Sequence, residues 1–126
     1  GLHCADLVLL DVPCTGTGAM RRKPDLRWRI RPKDLESLAG LQSAILAAGV
    51  DCVRPGGVLV YSTCSIEPEE NREAVSSFLA QTTDFYLDPA GNYLQQELVS
   101  PDGYLETLPH LHGMDGIFAA RLKRKK

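Results

Sequence analysis

The sequence lacks several features that would place it in a common class of protein. None of its apolar runs approaches the ~20 residues that a membrane-spanning helix needs, and no secretory signal peptide opens it. Its four cysteines show neither a Cys-x-x-Cys nor a Cys-x-x-His spacing, so neither a zinc site nor a disulfide framework is indicated. These absences favour a cytoplasmic protein with reduced thiols and no membrane partner.

The chain also lacks the cofactor-binding signature of a complete nucleotide-binding α/β domain. Such a domain begins with a strand, a glycine-rich turn and a helix, followed about 20 residues later by an acidic ribose ligand. Here the first apolar strand is followed by a Thr-Gly-Thr-Gly segment and a basic stretch, whereas Gly56 and Gly57 precede a strand. With 126 residues and 44% hydrophobic content, the chain amounts to about one small domain.

The apolar pattern that is present predicts alternating strands and helices. The first strand is continuously apolar, which is typical of a strand buried on both faces. The predicted elements are a strand that begins at Cys4 and ends at Val12, a helix over residues 33–53, a strand over 58–61, a helix opened by Pro68, and a final pair of strands near 106–108 and over 116–122. This order describes half of a doubly wound α/β sheet.

Two cysteines follow the two predicted parallel strands. Because the carboxyl ends of such strands meet at one crevice, Cys14 and Cys64 predict a shared site. Cys64 also precedes the second predicted helix, whose N-terminal dipole is expected to lower the pKa of a nearby thiol, so Cys64 is a candidate nucleophile. The open alternative is that each cysteine is a small core residue. Asp11 ends an apolar strand and needs a partner or solvent, because an unpaired buried carboxylate is costly.

Positive charge is concentrated in two segments although the net charge is −2. Seven of the 14 basic residues lie between positions 21 and 33, and five more lie between positions 121 and 126. Dense positive charge favours binding to a polyanion such as RNA. A solvated loop and a frayed tail are the alternative interpretation of the same two segments.

Separated motifs together carry a family resemblance. They are DVPCTGTG from Asp11, RRKPDLRW from Arg21, YSTCSIEPEEN from Tyr61, and LPH from Leu108 with DGIF from Asp115. In this order and spacing they resemble the Sun-type (Fmu-like) RNA cytosine-5 methyltransferases, above all the bacterial B-type enzymes of small-subunit (16S) ribosomal RNA. The resemblance covers nearly the whole chain.

The resemblance implies a fold, a reaction and roles for named residues. The fold is the C-terminal half of a Rossmann-like methyltransferase sheet over residues 1–126, and the cofactor of the complete enzyme is S-adenosylmethionine. Cys64 is implied to add to a cytosine of ribosomal RNA, Cys14 to assist product release, and Asp11 to lie between cofactor and target base. The residues implied to contact RNA are Arg21, Arg22, Lys23, Arg27 and Trp28.

The same resemblance indicates missing parts. The RNA-binding N-terminal region, the glycine-rich loop and the acidic ligands of the cofactor would precede the first motif, so we expect a fragment that is inactive alone. In such a fragment the strand from Cys4 to Val12 is an exposed edge, which predicts self-association. The alternatives are a non-catalytic RNA-binding fragment and, remotely, a thiol redox protein that uses Cys14 and Cys64.

Overall fold

In the described part of the chain, the fold is a mixed sheet with two α-helices packed on one face. The computed structural model describes residues 3–12, 32–65, 68–107 and 116–126. Its strands are β1 (Ala5–Asp11), β2 (Val53–Thr63), β3 (Phe85–Leu87), β4 (Leu105–Thr107) and β5 (Ile117–Arg124), and its helices are α1 (Pro32–Val50) and α2 (Arg72–Gln81). No helix in this part of the chain is long and apolar enough to cross a membrane.

The sheet combines one parallel pair with antiparallel neighbours. β1 and β2 are parallel and are connected through α1, as a βα crossover requires. β5 pairs with β2 in the antiparallel sense, and both β3 and β4 pair with the opposite edge of β5. The α/β class is thereby confirmed, as is the predicted final strand pair, which the structure shows as β4 and β5.

One face of the sheet carries the hydrophobic core. Alternate side chains of the two central strands, among them Leu59, Tyr61 and Phe118, are fully buried on this face. Leu46 of α1 and Val75 of α2 belong to the same buried cluster. The helices therefore take their positions from the apolar stripe that each presents to β2 and β5.

The other face of β1 is open, which corrects the prediction of a strand buried on both faces. Leu7 and Leu9 are 61% and 67% exposed. Their cross-strand neighbours on β2 are Val58 and Val60, so these four side chains share one face. In the part of the chain that the structure describes, α1 and α2 pack on the opposite face.

The boundaries of α1 and β2 differ from the predicted 33–53 and 58–61. A turn in which the Cys52 amide donates to the Gly49 carbonyl, at 3.0 Å, ends the helix, and Val53 then pairs with Ala5 of β1. The Pro-Gly-Gly segment lies inside β2 as an irregularity. Gly57 is required there because a Cβ would lie 2.9 Å from the Arg54 carbonyl oxygen.

The region after β2 also departs from the prediction. Pro68 opens a separate 3-10 turn, Pro68–Glu70, and α2 begins only at Arg72. β3 was not predicted, because its three residues lie in a segment with a weak apolar pattern and are fixed by pairing with β5.

Ion pairs hold the long connection between β3 and β4. Asp88 is buried and accepts hydrogen bonds from Arg121 Nε at 2.9 Å and from the Tyr93 hydroxyl at 2.7 Å. Arg72 on α2 pairs with Asp102 at 2.9 Å and with Glu106 at 3.0 Å. The connection is therefore fastened to β5 at one end and to the start of α2 at the other.

We expect this fastening to fail in acid. Burial raises the pKa of Asp88, but hydrogen bonds from Tyr93 and Arg121 outweigh it, so the pKa lies below its ordinary value. Burial likewise raises the pKa of Asp102, but the hydrogen bond from Arg72 outweighs it, so this pKa also lies below its ordinary value. An aspartate whose pKa is lower in the folded protein stabilises the fold at pH values above its unfolded pKa of 3.8. This stabilisation is lost as the pH falls through the folded pKa.

The measurement is urea unfolding at a series of pH values from about 6 down to about 3. The midpoint should fall with pH in the wild type and fall less in Asp88→Asn. An Asp88→Asn variant whose midpoint drops as steeply as that of the wild type would contradict the assignment.

Candidate active site

The carboxyl ends of β1 and β2 meet at one edge, as the sequence predicted. Asp11, the last residue of β1, lies opposite Ser62 of β2, and the Ser62 hydroxyl donates to Asp11 Oδ1 at 3.3 Å. Cys64 follows the last residue of β2 directly, and both its side chain and that of Asp11 are exposed. A thiol and an oriented carboxylate are therefore presented to solvent from neighbouring strand ends.

A buried hydrogen-bond network closes the turn around Cys64. The Thr63 hydroxyl donates to Asn71 Oδ1 at 2.5 Å and accepts from the Ser65 amide at 3.2 Å. Asn71 Nδ2 in turn donates to the Ser65 carbonyl at 2.8 Å. We call Thr63, Ser65 and Asn71 the clasp. All three residues are at most 2% exposed, whereas Cys64 between them is exposed.

Asn71 forms the clasp at the start of α2, where it occupies the N-cap position. An asparagine at this position usually accepts a hydrogen bond from an amide of the first turn, a contact that stabilises a helix by ~1 kcal/mol. Here the side chain makes no such bond, because both of its polar atoms bind the turn around Cys64. The start of α2 is thereby held against the turn that carries Cys64, although the helix begins later than predicted.

A second set of buried contacts fixes the segment that carries Asn71. The Tyr61 hydroxyl donates to the Glu70 carbonyl at 2.6 Å, and Gln42 Nε2 of α1 donates to Glu70 Oε1 at 3.2 Å. Because β2 and α1 both hold Glu70, the neighbouring Asn71 has a defined place relative to the sheet.

Several predicted site residues lie outside the described residues. They are Cys14, Arg21, Arg22, Lys23, Arg27 and Trp28. Their implied roles stay predictions. The described residues hold no group of three histidine, cysteine or acidic side chains placed to bind a metal ion.

The basic segment at positions 121–126 is largely part of the sheet, so its interpretation as a frayed tail is wrong. β5 extends to Arg124, whose guanidinium donates to the Val53 carbonyl at 2.8 Å. Arg121 binds Asp88 and lies over the Tyr93 ring at 4.5 Å. These two arginines are therefore engaged in contacts within the fold.

The clasp was missed at the sequence level. Thr63, Ser65 and Asn71 all stand in the YSTCSIEPEEN motif, which supported the resemblance without assigning them a role. The available signal was a pair of hydroxyl residues flanking a strand-end cysteine, followed by an asparagine where a helix begins.

Comparison with known proteins decides the family. The sequence profile of a family described as 16S rRNA methyltransferase RsmB/F matches residues 2–123. The chain belongs to the RsmB/F family. The motif resemblance is thereby confirmed, and the family is one of S-adenosylmethionine-dependent ribosomal RNA methyltransferases.

Curated RsmB/F relatives are considerably longer than this chain. Ribosomal RNA small subunit methyltransferase B of Shewanella oneidensis is 46% identical over 93% of the chain and 26% of the relative. The probable ribosomal RNA small subunit methyltransferase B of Bacillus subtilis is 40% identical over 95% of the chain and 28% of the relative. The chain thus spans about a quarter of the length of these relatives.

Two solved structures resemble this chain and are likewise considerably longer than it. The crystal structure of PH0851 superposes with a TM-score of 0.89 at 38% identity, covering 100% of this chain and 28% of that one. NSun6 from Pyrococcus horikoshii, solved with SFG, superposes with a TM-score of 0.76 at 34% identity, covering 94% of this chain and 29% of that one.

Proposed function

We propose that this chain supplies the nucleophilic thiol of a longer RNA cytosine-5 methyltransferase that acts on ribosomal RNA. The observation that carries the proposal is the exposed Cys64, which follows β2 within a buried clasp, at the same edge of the sheet as the exposed carboxylate of Asp11. Within that enzyme the described elements would form the C-terminal half of a Rossmann-like sheet, a placement that the parallel β1–β2 pair supports.

The proposed reaction divides one difficult step into easier ones. The Cys64 thiolate adds to C6 of the cytosine, and the electron pair of the C5–C6 double bond moves to C5. C5 would then take the methyl group that bound S-adenosylmethionine supplies, as the bond from that methyl group to sulfur breaks. Loss of the C5 proton to solvent restores the double bond and expels the thiolate of Cys64 from C6. Cys14 is proposed to assist this release.

Asp11 has the chemistry to contact the cofactor or the base. An exposed carboxylate accepts hydrogen bonds from amino groups, which both molecules carry, and the Ser62 hydroxyl donates a hydrogen bond to one of its oxygens. S-adenosylmethionine would supply the methyl group. SFG, the S-adenosylmethionine analogue present with the archaeal NSun6, supports a cofactor site in this architecture.

RNA binding is proposed for the basic segment that precedes α1. Arg21, Arg22, Lys23 and Arg27 provide positive charge for phosphates, and Trp28 offers a surface on which a base can stack. The names of the curated relatives, which specify small-subunit ribosomal RNA, support this partner. A non-catalytic RNA-binding fragment shares these features, so only a test of covalent chemistry separates the two functions.

Trapping with 5-fluorocytosine RNA tests the proposal. Fluorine replaces the C5 proton and cannot leave as that proton does, so the complete enzyme that carries this chain should remain bonded to the RNA when cofactor is present. Peptide mass spectrometry should locate the RNA on Cys64. An adduct on another residue, for example the half-buried Cys52, or no adduct with RNA and cofactor both bound, would contradict the proposed function.

We also propose that the 126-residue chain associates with itself through β1. Among the described residues, β1 pairs only with β2, and its open face carries the exposed Leu7 and Leu9. An unpaired apolar strand edge favours pairing with a second copy.

Sedimentation of the wild type at micromolar concentration should show a dimer or a larger species. The double variant Leu7→Lys, Leu9→Lys should be a monomer. Leu41→Lys, at a 47% exposed position of α1, is the matched control. A monomeric wild type would contradict the proposal.

A further inference from the structure

We infer that Asn71 is a positioning residue for Cys64, because its amide binds the Thr63 hydroxyl on one side of the thiol and the Ser65 carbonyl on the other. The inference deepens the proposed function and rests on it, since it takes Cys64 to be the nucleophile. Asn71 is only 2% exposed, so its side chain is not open to a base. It acts through Thr63 and Ser65, which precede and follow Cys64.

The donor and acceptor pattern of the clasp allows one orientation of the Asn71 amide. The Ser65 carbonyl oxygen only accepts hydrogen bonds, so it requires Nδ2, which donates to it at 2.8 Å. Oδ1 is then directed to Thr63, whose single hydroxyl proton it accepts. The lone pairs of the same hydroxyl accept the Ser65 amide proton. A flipped amide would place two oxygens against each other, so the turn has one hydrogen-bonded arrangement.

Burial makes this arrangement rigid. Water reaches none of the three clasp residues to an appreciable extent, and a broken bond in the clasp would leave a buried polar group without its partner. The thiol itself is exposed, so the clasp leaves it accessible while the backbone that carries it is fixed. The reaction requires this combination, because addition to C6 needs the sulfur at a defined distance and angle from the base.

The hydrogen bonds of Asn71 at the start of α2 distinguish a positioning role from a role in the stability of the helix alone. An asparagine that served only the stability of α2 would cap the helix, and this one makes no cap hydrogen bond. Its two polar atoms go instead to the residues on either side of Cys64. The side chain therefore stabilises the turn around Cys64 and leaves α2 without a side-chain cap.

Two nearly isosteric substitutions test the inference in the complete enzyme. Asn71→Asp keeps the acceptor for Thr63 but faces the Ser65 carbonyl with a second oxygen. Thr63→Val keeps the shape of the side chain and removes the hydroxyl. Each should lower the single-turnover rate of adduct formation with 5-fluorocytosine RNA by about 10- to 100-fold, since a displacement of ~1 Å can have this effect. The Kd for the same RNA should change less than about 2-fold, because no phosphate contact is altered.

The matched controls are Thr63→Ser and Thr107→Val. Thr63→Ser retains the hydroxyl and should restore a rate close to that of the wild type. Thr107 is also a buried threonine at a strand end, and its hydroxyl oxygen accepts the Ile117 amide at 2.9 Å, so Thr107→Val makes the same chemical change away from the clasp. It should lower the unfolding temperature and leave the adduct rate unchanged.

The outcomes distinguish the two hypotheses. If the wild-type adduct maps to Cys64 while Asn71→Asp and Thr63→Val form it at the wild-type rate, the positioning role is wrong and the proposed function stands. Equal slowing in Thr107→Val would also overturn the positioning role, because the effect would then be one of general stability. If the wild-type adduct maps elsewhere, the proposed function itself fails. Should Asn71→Asp not fold, the comparison of Thr63→Val with Thr63→Ser decides.

Discussion

Alanine at Cys64 is expected to lower methyl transfer by the complete enzyme by about 10⁴-fold or more, the scale on which removal of a nucleophile acts. Without a thiolate at C6, no electron pair is delivered to C5, and an unactivated cytosine is a poor acceptor of a methyl group. The loss should fall on kcat, with the Kd for RNA nearly unchanged. Because Cys64 is exposed, the substitution removes no core contact and should leave the unfolding temperature close to that of the wild type.

The measurement is transfer of labelled methyl groups to unmodified ribosomal RNA, with Cys52→Ala as the control for replacement of a cysteine at the amino end of β2, away from the carboxyl ends that carry the site. Cys14→Ala should behave differently from Cys64→Ala. If Cys14 assists release, its loss should let the methylated adduct accumulate on ordinary RNA. Methyl transfer that persists in Cys64→Ala, or accumulation that is absent in Cys14→Ala, would contradict the respective role.

The sequence was sufficient to locate the strand ends that carry the site. Asp11 and Cys64 each follow an apolar run, and parallel strands with helical connections bring such positions to one edge. The clasp could not be derived in this way. It depends on how residues 68–71 turn back toward β2, and that path is set by Tyr61 and Gln42, which hold Glu70 from two other elements.

The errors in the predicted elements also arise from contacts between distant residues. Val53 continues the helical spacing of the preceding residues, and the Pro-Gly-Gly segment after it is typical of a break between elements. Only the pairing of Val53 with the distant Ala5 makes this residue the start of β2. Burial of β1 was overestimated for a similar reason, since a continuous apolar run does not indicate which face receives a neighbour.

Alanine at Phe118 is expected to have the largest effect on stability. Phe118 is fully buried, its ring centre lies 4.9 Å from that of Tyr104, and it is the cross-strand neighbour of Thr63 on the face beneath the helices. Replacing a buried phenylalanine with alanine destabilises a protein by about 3–5 kcal/mol through lost burial and the remaining cavity. A domain has a total stability of only about 5–15 kcal/mol, so a large part of the protein should unfold under mild conditions.

Urea unfolding of Phe118→Ala and of Ile117→Ala measures this effect on adjacent residues of β5. Ile117 is 40% exposed, so its truncation should cost less than about 1 kcal/mol. The Phe118 cavity would lie next to Thr63, and for that reason the milder Phe118→Leu should slow adduct formation as well as lower the urea midpoint. If Phe118→Ala were no more destabilising than Ile117→Ala, the ring would not be a principal contact of the core. If Phe118→Leu lost stability at an unchanged adduct rate, the clasp would be held independently of the core beneath it.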